Sequence, residues 1–148
     1  MLTLVLALCC VVATVAGCSA PTNPPATGPD LETTPGFAGD AALAQAFAEH
    51  ATNLAGEGSG TVSKLLPDDT DGDRHQRFIV QLASGQTLLI AHNIDAASRV
   101  ESLDVGDAVH FKGVYEWNEQ GGVIHWTHHD PARNHAAGWI KHNGRTYQ

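Results

Sequence analysis

The sequence predicts an all-β domain with one N-terminal helix, folded as a small barrel of five strands over residues 58–148. Two observations carry this prediction. From Gly58 onward, apolar and polar residues alternate with a period of two, as they do in strands with one buried face. Turn-forming runs of Asp, Asn, Ser and Gly separate five such segments. An antiparallel β-sandwich is the alternative architecture.

The first 17 residues predict a lipoprotein signal peptide. Residues 4–16 form an apolar run that is too short for a typical membrane-spanning helix but suits a signal-peptide core. The run ends in Val15-Ala16-Gly17-Cys18, which resembles the bacterial lipobox, whose cysteine is acylated and becomes the first residue after cleavage. Residues 1–3 lack the usual positive charge, so a plain secretory signal and an uncleaved anchor are the alternatives.

The lipid on Cys18 would tie the protein to a membrane of the bacterial cell envelope. Ser19, and not Asp, follows the cysteine, which in a Gram-negative host fits the outer membrane, facing the periplasm. All three cysteines lie within the first eighteen residues. The chain beyond Cys18 therefore offers no disulfide, no thiol nucleophile and no thiolate zinc site.

A tether and a helix separate the predicted lipid from the predicted barrel. Residues 18–39 contain five of the seven prolines together with several threonines, which is typical of an extended polar tether. Asp40 can cap a helix, and apolar residues follow it at helical spacing as far as Leu54. The pattern predicts an amphipathic helix over residues 40–56.

Turn signals bound each predicted strand. Ser84-Gly85 joins two strands into a hairpin, and Asn143-Gly144 predicts a type I′ turn within a terminal hairpin over residues 138–148. Residues 93–103 predict a short helical or irregular crossover. The five strands are predicted over residues 60–66, 75–83, 86–92, 104–117 and 123–129.

This order of elements resembles that of an OB-fold barrel. A crossover separates the third strand from the fourth. The fourth strand opens with Gly106-Asp107 and carries Gly113, in the place where such barrels need a strand to bend sharply. We therefore expect an OB-like topology within the all-β class.

Four short motifs resemble those of a family of small secreted bacterial proteins that is known only as a domain of unknown function. The motifs are HQRF at 75–78, LLIAHNID at 88–95, YEWN at 115–118 and GGVIHWTHHDP at 121–131. The resemblance covers about residues 58–148. It implies bacterial export and an OB-like fold, and it carries no activity.

The stretch from Val123 to Pro131 is the richest in chemistry, with three histidines and an aspartate around a tryptophan. If it forms one strand, His125 and His129 share a face but lie roughly 13 Å apart along the strand axis. They are then too far apart to bind one ion, so a metal site needs groups from other strand ends. The strand is expected to stop near Asp130, which precedes a proline.

A metal site at one end of the barrel is therefore the first candidate. Two or three imidazoles with one carboxylate suit a divalent transition metal such as zinc. The chain has no HExxH motif, so the spacing itself does not identify a metalloprotease. The predicted ligands are His75, His92, His128, His129 and Asp130.

Aromatic and polar side chains near the same end predict direct contact with a ligand. Trp126 and Trp139 are the tryptophans expected to be exposed, and His125 and Asn93 are expected beside them. The formal net charge of −8 argues against nucleic acid as a partner at neutral pH. A small ligand, a glycan or a peptide suits a cell-envelope protein better.

Three functions remain open on the sequence. The first is an envelope lipoprotein that binds a ligand or a metal at the His-rich end of the barrel. The second is a metal-dependent phosphodiesterase or nuclease, since an open position on the metal can activate water. The third is a structural envelope protein in which the histidines form no binding or catalytic site.

Overall fold

Strands make up most of the part of the chain described by the computed structural model, residues 37–130 and 132–148. The predicted signal peptide, Cys18 and almost all of the predicted tether lie outside these residues. The elements are β1 (Phe37–Ala38), α1 (Asp40–Ala48), β2 (Leu54–Leu65), β3 (His75–Gln81), β4 (Thr87–Asn93), β5 (Ala108–Glu116), β6 (Val123–His125), β7 (Trp139–His142) and β8 (Arg145–Tyr147).

Five of these strands close into a barrel. Their order around it is β2, β3, β4, β6 and β5, and β5 pairs again with β2 from Ala108–Tyr115 to Leu54–Thr61. β4 and β6 are parallel, and the other four pairings are antiparallel. The predicted OB-like barrel is confirmed, and the β-sandwich alternative is wrong. β1 extends the sheet beside β2, while β7 and β8 extend it beside β5.

Helix α1 packs on the barrel where β2 has no side chains. Leu43 is fully buried, and a Cβ built on Gly58 would lie 2.9 Å from both Leu43 and the ring of Phe111. The glycine therefore leaves the space that these two side chains fill. The helix ends at Ala48, which is eight residues earlier than predicted, because the chain turns out of the helix with a positive φ at His50.

The other differences from the predicted elements are local. β2 begins at Leu54, six residues before the predicted start, and the crossover over 93–103 consists of turns without a helix. β6 covers only Val123–His125 of the predicted strand 123–129. The terminal hairpin is confirmed, with Asn143 and Gly144 at φ 47° and 74°. Within residues 37–130 and 132–148, no helix is long and apolar enough to cross a membrane.

Candidate ligand-binding site

Three strand ends meet at a cleft of about 290 Å³ at one end of the barrel. His75 begins β3 and is paired across the hairpin with Asn93, which ends β4. β6 runs parallel to β4, so its last residue, His125, arrives at the same end. The side chains that line the cleft are Asp73, His75, Asn93, His125, Trp126 and His128. All but Asp73 are among the residues predicted from the sequence as ligand or metal contacts.

Trp126 forms the exposed wall of this cleft and has an unusual backbone. Its φ is 54°, in the left-handed region that bulky residues rarely adopt, and 42% of its surface is exposed. The backbone of the following segment is held by Gly138, whose N–H donates to the carbonyl oxygen of His128 at 2.9 Å. A left-handed residue of this kind costs on the order of 1–2 kcal/mol, and such strain is concentrated at functional sites.

Three imidazoles surround the indole ring of Trp126. The ring centres of His135, His125 and His128 lie 4.3, 5.6 and 5.8 Å from it. The Nε2 atom of each imidazole is buried and has no hydrogen-bond partner among the described residues. Buried polar atoms in folded proteins are nearly always paired, so three such atoms around one tryptophan require an explanation.

The hydrogen bonds at Nδ1 define the state of two of these rings. Nδ1 of His128 lies 2.9 Å from the carbonyl oxygen of His129, and Nδ1 of His135 lies 2.8 Å from that of Ala136. A carbonyl only accepts, so each Nδ1 carries the hydrogen. In the neutral rings each Nε2 then carries a lone pair and no hydrogen, so it can accept a hydrogen bond or bind a metal.

His125 has a different environment. Burial lowers the pKa of its imidazole, and the carboxylate of Glu116 opposes that shift. The closest approach is 3.6 Å, between Nε2 and a carboxylate oxygen of Glu116, which is too long for a hydrogen bond. The Nε2 atom of His125 is therefore buried beside Glu116 without a hydrogen bond to any described residue.

Asp130 organises the loop after the cleft. Its carboxylate accepts the backbone N–H groups of Ala132, Asn134 and His135. Burial alone would raise the pKa of the Asp130 carboxyl, but these donors outweigh burial and hold that pKa below its ordinary value. A carboxylate oxygen also lies 3.8 Å from Nε2 of His135. Asp130 is thus a fixed negative charge that positions His135.

His92 lies under the cleft, and neither of its ring nitrogens is free. It is fully buried, its Nδ1 lies 2.7 Å from the hydroxyl of Thr127, and its Nε2 lies 3.0 Å from the carbonyl oxygen of Ser98. Nε2 therefore donates to the carbonyl, and Nδ1 accepts from the hydroxyl. Burial lowers the pKa of the imidazole, which favours this neutral state. The sequence predicted His92 as a metal ligand, whereas in the structure both of its ring nitrogens are hydrogen-bonded within the protein.

Residues 29–148 match a family described as protein of unknown function (DUF3465). The chain belongs to this family. A comparison with curated proteins gave no match. The match covers the whole barrel and each element of the cleft, so the cleft lies within the DUF3465 domain.

Besides His92 and Asp130, two predicted residues lie outside the lining of the cleft of this DUF3465 domain. His129 is exposed beyond it, and Trp139 is on β7, where the ammonium group of Lys141 lies 4.2 Å from the centre of its ring. Within residues 37–130 and 132–148, no group of three or more His, Cys, Asp or Glu side chains is arranged to hold a metal ion. The five predicted ligands therefore do not converge on one point.

Besides Asp73, sequence reasoning missed two residues of the site. Thr127 is not among the predicted site residues, although its hydroxyl is hydrogen-bonded to His92. His135 was left out of the predicted ligands, although its ring is the closest imidazole to Trp126. The available signal for His135 was Asp130-Pro131, since a proline after a carboxylate favours a turn that brings the chain back. No local signal pairs Thr127 with a histidine thirty-five residues away.

Proposed function

We propose that this protein is a bacterial cell-envelope lipoprotein whose OB-like barrel binds a small, hydroxyl-rich ligand such as a glycan in the His-rich cleft. One observation carries the proposal. Trp126 is held in a strained conformation, half exposed, among three imidazoles whose Nε2 atoms are buried and unpaired. A ligand that stacks on the indole and donates hydrogen bonds to the imidazoles would satisfy every member of this group.

The chemistry of the lining favours a ligand with many donors. Among the described lining residues none is Lys or Arg, so the cleft offers little to a phosphate or another anion. Asp73 supplies a carboxylate, and its oxygen lies 3.4 Å from the side-chain amide of Asn93. At about 290 Å³ the cleft is at the small end of ligand-binding sites, which suits one or two sugar rings.

The two other functions have less support. A metal-dependent hydrolase needs a set of ligands that the described residues do not assemble at the cleft. An inert structural domain would have no reason to keep three unpaired imidazole nitrogens beside a strained tryptophan, since each costs free energy. Ligand binding explains both features together.

A sugar titration of the full chain in detergent micelles tests the proposal. In ¹H–¹⁵N spectra with glucose, N-acetylglucosamine or chitotriose added, binding to the variants is followed on the backbone N–H resonances of the cleft, and binding to the wild-type chain also on the indole N–H resonance of Trp126. We expect at least one sugar to shift these resonances to saturation, and we expect Trp126→Ala to abolish binding. Trp139→Ala is the matched control and should bind normally. No saturable shift with any sugar, or binding that depends on Trp139 alone, would refute the proposal.

Lipid attachment at Cys18 is tested separately. We expect the chain to incorporate labelled palmitate in a bacterial host and to fractionate with membranes. Cys18→Ser should lose both properties, because the lipobox-like sequence ends at this cysteine. Cys10→Ser, within the apolar run, should keep both. Palmitate that remains on the Cys18→Ser chain would contradict the lipoprotein assignment.

A further inference from the structure

His128 and His135 are the two imidazoles that lie closest to one another beside the cleft. Their ring centres are 5.0 Å apart, and the rings are nearly perpendicular, at 84°. The side chain of His135 is 8% exposed, and His128 is 7% exposed. We infer that this pair is the protein half of a transition-metal site that takes a borderline cation such as Zn²⁺ through the two Nε2 atoms.

The hydrogen bonds of the two rings prepare them for a metal. A metal-bound histidine usually donates its other ring N–H to a carbonyl or a carboxylate, which fixes the tautomer and the ring orientation. Both rings already do so, through Nδ1 to the carbonyl oxygens of His129 and Ala136. Each Nε2 is left buried and unpaired, which is the state that a metal-free ligand would have.

The spacing of the rings also fits. A cation bound about 2.1 Å from each Nε2, with a tetrahedral angle between them, would place the two ring centres roughly 5 Å apart. The observed separation is 5.0 Å. The separation of the two ring centres therefore matches that of two imidazoles bound to one ion.

A nearby carboxylate supplies the compensating charge. Asp130 lies 3.8 Å from Nε2 of His135, and its own position is fixed by three backbone N–H groups. The described residues contribute no third convergent ligand, so water or a molecule in the cleft would complete the coordination. Such an open site binds more weakly than a structural zinc site with four protein ligands. The zinc site and the glycan site would share the Nε2 atoms of His128 and His135, so zinc and a sugar that donates to these atoms should compete, but each can be tested without the other.

Zinc chloride titrated into the full chain in detergent micelles tests this inference. Isothermal titration calorimetry should show one ion per chain. Imidazole ¹⁵N spectra of the wild-type chain should show Nδ1–H tautomers for His128 and His135 before zinc and a large shift of both Nε2 resonances after it. His128→Gln and His135→Gln should each weaken binding by about tenfold or more. His129→Gln, an exposed neighbour, is the matched control and should bind zinc like the wild type.

The spectra of the wild-type chain keep the test decisive even if a variant fails to fold. Absence of zinc binding would overturn the inference, and so would zinc shifts on other imidazoles with those of His128 and His135 unmoved. Zinc bound at the pair while no sugar binds would leave the inference standing and refute only the glycan proposal. Sugar bound at Trp126 without zinc binding would do the reverse.

Discussion

Replacing Thr127 with valine should destabilise the barrel measurably, although it changes only a few atoms. Thr127 is fully buried, and its hydroxyl lies 2.7 Å from Nδ1 of His92. Nε2 of His92 already donates to the carbonyl oxygen of Ser98, so Nδ1 must be the acceptor and Thr127 the donor. Valine keeps the shape of the side chain but leaves Nδ1 buried without a donor.

The magnitude follows from the cost of an unpaired buried acceptor, which is about 1–3 kcal/mol. For a domain of this size, 1 kcal/mol corresponds to about 4 °C in melting temperature. We therefore expect the midpoint of thermal unfolding to fall by about 4–12 °C. The loss should approach the upper end, because His92 is fully buried and water cannot replace the hydroxyl.

The assay is thermal unfolding of the full chain in detergent micelles, followed by near-ultraviolet circular dichroism. Thr146→Val is the matched control, since Thr146 is exposed on β8 and should change the free energy of unfolding by less than about 0.5 kcal/mol. If Thr127→Val melts at the temperature of Thr146→Val, the His92–Thr127 hydrogen bond does not hold the segment beneath the cleft.

Three further predictions concern the same end of the barrel. Burial lowers the pKa of the His92 imidazole below its ordinary 6.5, so on acidification the unfolded chain binds a proton at His92 before the folded chain does. The free energy of unfolding should therefore fall as pH drops below about 6.5, and a urea midpoint that rises on acidification would contradict this. Gly138→Ala should lower the free energy of unfolding in urea by more than about 2 kcal/mol, because the added Cβ would lie 2.0 Å from the carbonyl oxygen of Trp126. The control, Ala137→Ser, should leave the free energy of unfolding unchanged. The Trp126→Gly chain should be about 1 kcal/mol more stable than the Trp126→Ala chain, because both lose the indole ring but only glycine adopts the positive φ freely. Equal free energies of unfolding would show that the backbone at position 126 is unstrained.

The barrel was predictable because its signals are local. The hairpin between β3 and β4 and the turn at Asn143-Gly144 follow from alternation and turn residues that lie within a few positions of each other. The hairpin register also brings His75 opposite Asn93, so one side of the cleft could be predicted from the sequence. These parts of the fold need no knowledge of the rest of the chain.

The start of β2 was not predictable for a physical reason. Gly56, Gly58 and Gly60 occupy alternate positions of the strand, so over residues 56–60 the face that should be apolar carries no side chains. A Cβ at Gly58 would meet Leu43 of the helix and Phe111 of β5, which together fill the space that the glycine leaves. The missing apolar residues are supplied by other elements, and the strand pattern is therefore invisible until the barrel has assembled.

The site depends on one residue that departs from strand geometry. In an extended strand, His125 and His128 would point to opposite faces, and the sequence prediction relied on this alternation. The left-handed conformation of Trp126 ends β6 and turns the chain, so both imidazoles line the same cleft. Nothing in a tryptophan favours that conformation. Gly138 permits it, because a glycine has no side chain to obstruct the approach of the carbonyl group of Trp126.

A residue that contradicts its own local preference is retained only where the surrounding structure, or a function, compensates for the cost. Here the strained residue is Trp126, and His125, His128 and His135 lie around its indole ring. If the strain served packing alone, the imidazole nitrogens would be expected to find partners within the protein, as buried polar groups do. They have no partner among residues 37–130 and 132–148, and this supports the proposal of a ligand that donates hydrogen bonds to them.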